Sequence, residues 1–266
     1  MIRDITLGQY YPGESWIHHL DPRIKIIATL MFIVELFIVD NFLGFVVAAI
    51  GLGSIVAMSK VPLNFILKGL KPILLIIIFT FVINIFMVDG EVLWHFGFLK
   101  ITVEGLYMAV FMAIRLILLI IGSSLLTLCT KPISLTDGIE KLLKPLKVIG
   151  VPTHEIAMMM TIALRFIPTL LEETDKIMKA QQARGADFES GNIINRAKSL
   201  IPILVPLFIS AFRIAQDLAM AMEARCYRGG ENRTRMHEMK FNKKDILAFI
   251  GLILFLGIIT AEAYFL

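Results

Sequence analysis

Five long apolar runs constrain this chain more than anything else in it. They cover roughly residues 24–39, 42–58, 73–88, 105–128 and 246–265. An α-helix needs about 17–25 consecutive apolar residues to cross the hydrocarbon core of a bilayer. Inside that core every backbone N–H and C=O must be satisfied within a helix or a closed barrel. The runs are continuous rather than alternating. They therefore predict an all-α integral membrane protein with about five transmembrane helices. The first run starts late and lacks a small-residue cleavage site, so it reads as a span and not as a secretion signal.

Basic residues orient the spans. Arg3, Arg23 and Lys25 flank the start of the first, and Lys60, Lys68 and Lys71 lie between the second and third. Segment 89–104 holds one base, Lys100, against three acids. Lys131, Lys141, Lys144 and Lys147 follow the fourth span. Lysine and arginine accumulate on the cytoplasmic side. The expectation is a multi-pass plasma-membrane protein with its N-terminus in the cytoplasm and its C-terminus outside. The formal net charge of +4 is then this bias, with anionic lipid rather than nucleic acid as its counterpart. Cys129 and Cys226 both fall on the cytoplasmic side, where no disulfide is expected.

Apolar residues make up 57% of the 266, yet 18% are charged, so a sizeable polar part must accompany the spans. It falls between the fourth and fifth. The expected division is a membrane domain at 1–128, a cytoplasmic-side module at 129–244 and a final transmembrane helix at 245–266. In the module, Leu135 to Lys147 predicts a short amphipathic helix, with Ile139, Leu142, Leu143 and Leu146 on its apolar face. A second helix, from Thr153 to about Ala186, repeats apolar residues every three or four positions, with Thr153 as the expected N-cap. Pro168 lacks an N–H and should kink this helix, which makes it and Arg165, one turn earlier, an expected hinge. A third helix is expected from about Ile193 to Tyr227. Charges inside both runs (Arg165, Glu172, Glu173, Arg213 and Asp217) cost about 2.5–3.5 kcal/mol at a bilayer centre. The preferred reading is therefore a long hairpin with cytoplasmic tips. A hairpin that crosses the membrane would give the same topology.

Each long helix ends in a similar tripeptide: Ala183-Arg184-Gly185 and Ala224-Arg225-Cys226. A cation near a helix C-terminus complements the dipole, and that alone explains most such arginines. Two of them, in matching Ala-Arg-small contexts at the ends of paired helices, point to docking on a partner.

Recognisable catalytic chemistry is missing. There is no GxxxxGK[ST], and the lone Gly51-Leu52-Gly53 sits inside a span as a packing feature. His154-Glu155 and His237-Glu238 begin like a zinc-protease motif, but Met158 and Phe241 stand where the second histidine would be. No metal site and no cofactor are expected on this chain. Glu35 and Arg115 are charges inside spans and so functional candidates by default; the preferred reading is structural, an intramembrane ion pair with each other or snorkelling.

Four segments in order carry a family resemblance. His19-Leu20-Asp21-Pro22-Arg23-Ile24-Lys25 comes first, then Ala163-Leu164-Arg165-Phe166-Ile167-Pro168. Gln182-Ala183-Arg184-Gly185 and Ala221-Met222-Glu223-Ala224-Arg225-Cys226 follow. Together they resemble the T component, the transmembrane coupling subunit, of energy-coupling factor (ECF) transporters, which are ATP-binding-cassette importers of vitamins and metal ions. The resemblance implies a non-enzymatic subunit with two long crossing coupling helices. It also implies two cytoplasmic ATPases carrying ATP and Mg, which receive Arg184 and Arg225. A separate, sometimes exchangeable, membrane subunit (S) would bind the substrate. The departure is Cys226, where glycine is common.

A stand-alone channel or secondary transporter is the alternative. It would show inverted repeats or a file of polar residues at midplane, whereas Asn84, Glu35 and Arg115 are scattered. An intramembrane enzyme would need a paired nucleophile and base, which the spans lack.

Overall fold

The computed structural model describes residues 10–96, 99–186, 188, 198–229 and 241–265. They form two compact units, one of Gly8–Lys141 with Glu238–Leu266, the other of Met1–Leu7 with Leu142–His237. The boundary lies at 141/142 rather than at the expected 128/129.

The first unit contains α1 (Pro22–Ile38), α2 (Phe42–Ser59), α3 (Leu63–Leu70), α4 (Leu74–Met87), α5 (Val103–Cys129), α6 (Pro132–Leu143) and the last helix, α9 (Lys243–Phe265). A two-stranded antiparallel hairpin, β1 (Val92–Phe96) and β2 (Leu99–Thr102), lies between α4 and α5 where a plain loop was expected. Helices dominate the described residues, as an all-α integral membrane protein requires. Three expected spans appear at full length as α2, α5 and α9. The third appears as α4, preceded by an unexpected helix, α3, which meets it at 57° across residues 71–73, where Pro72 has no N–H to carry the ladder onward. At 17 residues α1 is about 26 Å long, slightly less than the hydrocarbon thickness.

α5 is the axis of this unit and packs against α1, α2, α3 and α4. The side chains Phe32, Leu36, Phe45, Ala48, Phe111 and Leu118 form its buried core. Gly122 lets α1 approach, because a Cβ there would lie 2.8 Å from the Phe32 ring. α6 belongs to this unit because Gly138 seats against Pro22 and Ile26 of α1. Its buried positions are Thr136 and Gly138, not the expected apolar face. Ile139, Leu142 and Leu143 stay half-exposed, as on a helix at a membrane surface. The helix stops at Leu143 because Pro145 follows, and Lys144–Ile149 continues as a 3-10 turn.

A polar network ties three helix ends together. Asp21 caps α1: its Oδ1 accepts the Arg23 N–H at 2.9 Å, and its Oδ2 meets Arg23 Nη2 at 2.8 Å. Lys25 Nζ, buried, donates to Cys129 O at the end of α5 and to His18 O, each at 3.0 Å. The Asp245 carboxylate, in the first turn of α9, accepts the Asp21 N–H at 2.9 Å and the Asn242 N–H at 2.8 Å. The start of α1, the end of α5 and the start of α9 therefore share one end of the bundle. The chain between α5 and α9 must accordingly make an even number of membrane crossings.

The second unit holds α7 (Thr153–Ala183) and α8 (Ile201–Ala224), packed against each other. Thr153 is the first helical residue rather than the cap, and Pro152 occupies the cap without a side-chain bond. α7 runs as one helix through Pro168, which is exposed. Both helices are long and apolar enough to cross a membrane by length and composition. The expected start of α8 at about Ile193 lies outside the described residues, as do Arg3 and His237-Glu238.

The network generates two predictions. Lys25→Met keeps the stem but strands the Cys129 and His18 carbonyls, and Asp245→Ala strands two N–H groups. Each should lower unfolding stability by about 1–3 kcal/mol, read by thermal unfolding in detergent. His18 adds a pH dependence. Its Nε2–H donates to Tyr11 O at 3.1 Å, so Nδ1 accepts the Ser15 hydroxyl at 2.6 Å in the neutral ring. Burial holds its pKa below 6.5. The unfolded chain then binds more protons across that window, so stability is full above about pH 6.5 and declines as pH falls. His18→Gln should flatten that part of the pH profile of the melting temperature.

Candidate functional site

The two arginine tripeptides form the same local structure at two helix ends. In α7, Gly185 N donates to Gln182 O at 2.9 Å and Ala186 N to Gln181 O at 3.0 Å. In α8, Cys226 N donates to Glu223 O at 2.8 Å and Tyr227 N to Met222 O at 3.0 Å. Both are Schellman caps, in which the chain turns left-handed after the last helical residue and closes the orphan carbonyls. The arginine is the C-cap residue in each, with φ, ψ of −87°, 5° at Arg184 and −93°, 12° at Arg225. Each is preceded by an exposed alanine and is itself exposed. Among the described residues neither arginine makes an ion pair.

The caps differ at the left-handed position. Gly185 takes φ +89° at no steric cost, whereas Cys226 takes φ +56° with a Cβ. Sequence alone saw the odd residue but not its conformation.

The two arginines do not sit side by side. Tyr227, just past the end of α8, donates its hydroxyl to Met158 Sδ at 3.0 Å. Met158 is near the start of α7, so the helices run antiparallel. From Met158 to Arg184 the helix rises about 40 Å. The tips lie at opposite ends of the helix pair, too far apart for one small pocket to bind both.

The other expected residues fare differently. Arg165 and Pro168 lie exposed on α7, with Arg165 unpaired among the described residues. The Glu35–Arg115 pair is not formed. Arg115 Nη2 instead donates to Val39 O at 2.8 Å and reaches Asp40 Oδ1 at 3.5 Å. Val39 follows the last turn of α1, where carbonyls lack intrahelical partners and draw a donor. The Phe37, Phe45 and Phe111 rings surround the guanidinium at 5.1–5.8 Å. The roles of Lys25 and Asp245 were not anticipated. Asn242 and Asp245, three apart, do carry a capping-box spacing that could have flagged the latter. Among the described residues no three His, Cys, Asp or Glu side chains converge as metal ligands. Replacing the strained cap residue, Cys226→Gly, should raise unfolding stability by about 0.5–1 kcal/mol, measured by thermal unfolding with Gly185→Ala as the destabilising counterpart.

The profile of the CbiQ family, described as cobalt transport protein, matches residues 13–236. The chain is 61% identical over 250 residues to the energy-coupling factor transporter transmembrane protein EcfT of Thermosediminibacter oceani, covering 94% of each. It is 62% identical over 250 residues to the EcfT protein of Clostridium kluyveri, covering 93% of each. Against the EcfT protein of Bacillus subtilis the identity is 45% over 267 residues, with 100% of this chain and 99% of the relative covered. The family match takes in Asp21, Lys25, Arg184 and Arg225, and the chain belongs to the EcfT family of energy-coupling factor transporter transmembrane proteins.

Proposed function

We propose that this chain is the coupling subunit of an ATP-driven importer and that Arg184 and Arg225 each dock on one of two ABC-type ATPases. The pair of exposed Schellman caps of the same type, about 40 Å apart, carries this reading. One arginine per site is what two separate ATPases need. A guanidinium presents a rigid fork of donors that pairs bidentately with a carboxylate, and its alanine neighbours leave room for close approach. The chain itself is not an enzyme and binds no cofactor. ATP and Mg sit on the ATPases, and their motion swings α7 and α8, with the Arg165–Pro168 stretch as the hinge.

The far side of the relay is the substrate-binding subunit, dedicated or exchanged among several. α8 supports this, because Val205, Phe208, Ile209 and Phe212 are between 53% and 68% exposed along one helix. Contiguous apolar surface of that kind marks a protein or lipid contact. The substrate is a vitamin or a metal ion selected by that subunit. The orientation that fits the basic loops places the N-terminus and the Lys25 network at the cytoplasmic face and the C-terminus outside.

The test is co-purification with the two candidate ATPases from a strain lacking the native chain. Arg184→Glu or Arg225→Glu alone should each weaken assembly by about 2–5 kcal/mol. The double variant should lose both ATPases and ATP-driven uptake while keeping its melting temperature. A double variant that assembles and transports normally would reduce both arginines to ordinary helix ends and reopen transport without ATP.

A further inference from the structure

Two adjoining cavities in the membrane unit serve no part of the coupling role. The first holds about 400 Å³ between α1, α2, α5 and α9, at the Lys25 end of the bundle. That is the size of a small-molecule site. Ile24, Phe32, Leu52, Leu125, Leu252 and Phe255 give it apolar walls. Its hydroxyls are already used: Thr29 Oγ1 donates to Lys25 O at 2.9 Å and Ser54 Oγ to Gly51 O at 2.6 Å. Met58 and Leu247 on its lining are 48% and 67% exposed, so the cavity opens outward. In a spanning bundle the surrounding medium there is acyl chain.

The second cavity, about 420 Å³, is lined by Trp16, His19, Leu20, Asn242, Lys244 and Asp245. Trp16 and Leu20 line both cavities. Both Asp245 oxygens already accept backbone N–H groups, which leaves the Lys244 ammonium as the charge with unused donors. A tryptophan between an apolar and a polar chamber occupies the position tryptophan favours at a membrane interface.

We propose that the two cavities form one binding site for an anionic phospholipid. One acyl chain fills the first cavity and the phosphate headgroup meets Lys244 in the second. Lys25 lines the first cavity; two of its three N–H donors go to carbonyls, and its ammonium adds positive charge there. Charge complementarity selects the anionic headgroup, and the apolar chamber selects a lipid over free phosphate.

Native mass spectrometry of the full chain, released from nanodiscs of equal phosphatidylglycerol and phosphatidylcholine, tests this. The wild type should keep one phosphatidylglycerol. Lys244→Gln should lower the preference over phosphatidylcholine about fivefold, the effect of one surface charge. Gly251→Phe should leave the chain lipid-free with an unchanged melting temperature. Gly251 lines the first cavity, and a Cβ there meets no atom within 4 Å. The proposal is overturned if no lipid is kept, if both lipids are kept equally, or if folded Gly251→Phe keeps its lipid. Loss of the lipid when the ATPases and the substrate-binding subunit assemble would likewise overturn it, since the cavity would then be a seat for polypeptide.

Discussion

One buried ammonium holds the membrane unit in register. Helix ends carry backbone groups with no intrahelical partner, and beside a bilayer those groups cannot rely on water. Lys25 answers this for the end of α5, and Asp21 and Asp245 answer it for the starts of α1 and α9. The residues involved are 104 and 224 positions apart in the chain. Their pairing fixes which helix ends share a face, and the parity of every crossing follows. Positive charge at the C-terminal end of α5 also opposes its dipole, so the same lysine does electrostatic and hydrogen-bonding work.

The second unit has a different logic. Its helices bury little and expose much, and their order comes from regular α-helix and well-closed ends. A helix pair of this kind transmits displacement along its axis because intrahelical hydrogen bonds resist stretching. Pro168 in α7 and Pro206 in α8 are interior positions where a backbone bond is absent by chemistry, so bending concentrates there.

Most of the fold was legible in the sequence, since continuous apolar runs dictate helices in a membrane. The misses have physical causes. The bend between α3 and α4 falls at Pro72, just before the apolar run that was readable, and α3 lies in the basic stretch ahead of it. The β-hairpin is a few residues long, with no strong alternation to announce it. Glu35 and Arg115 looked like partners because opposite charges in spans invite pairing. What decided the matter was an unpartnered carbonyl at Val39, which no side-chain pattern reveals. The arginine tripeptides were plain as motifs. Their equivalence as caps, and their separation at opposite ends of an antiparallel pair, arise only from the backbone path and the helix packing.

The left-handed cysteine has a practical consequence. Cys129 is buried in the membrane unit, whereas Cys226 is exposed beside Arg225. The unmodified chain therefore carries a spectroscopic address at one helix tip and none at the other. A thiol-reactive dye would distinguish the two ends of the helix pair without engineering.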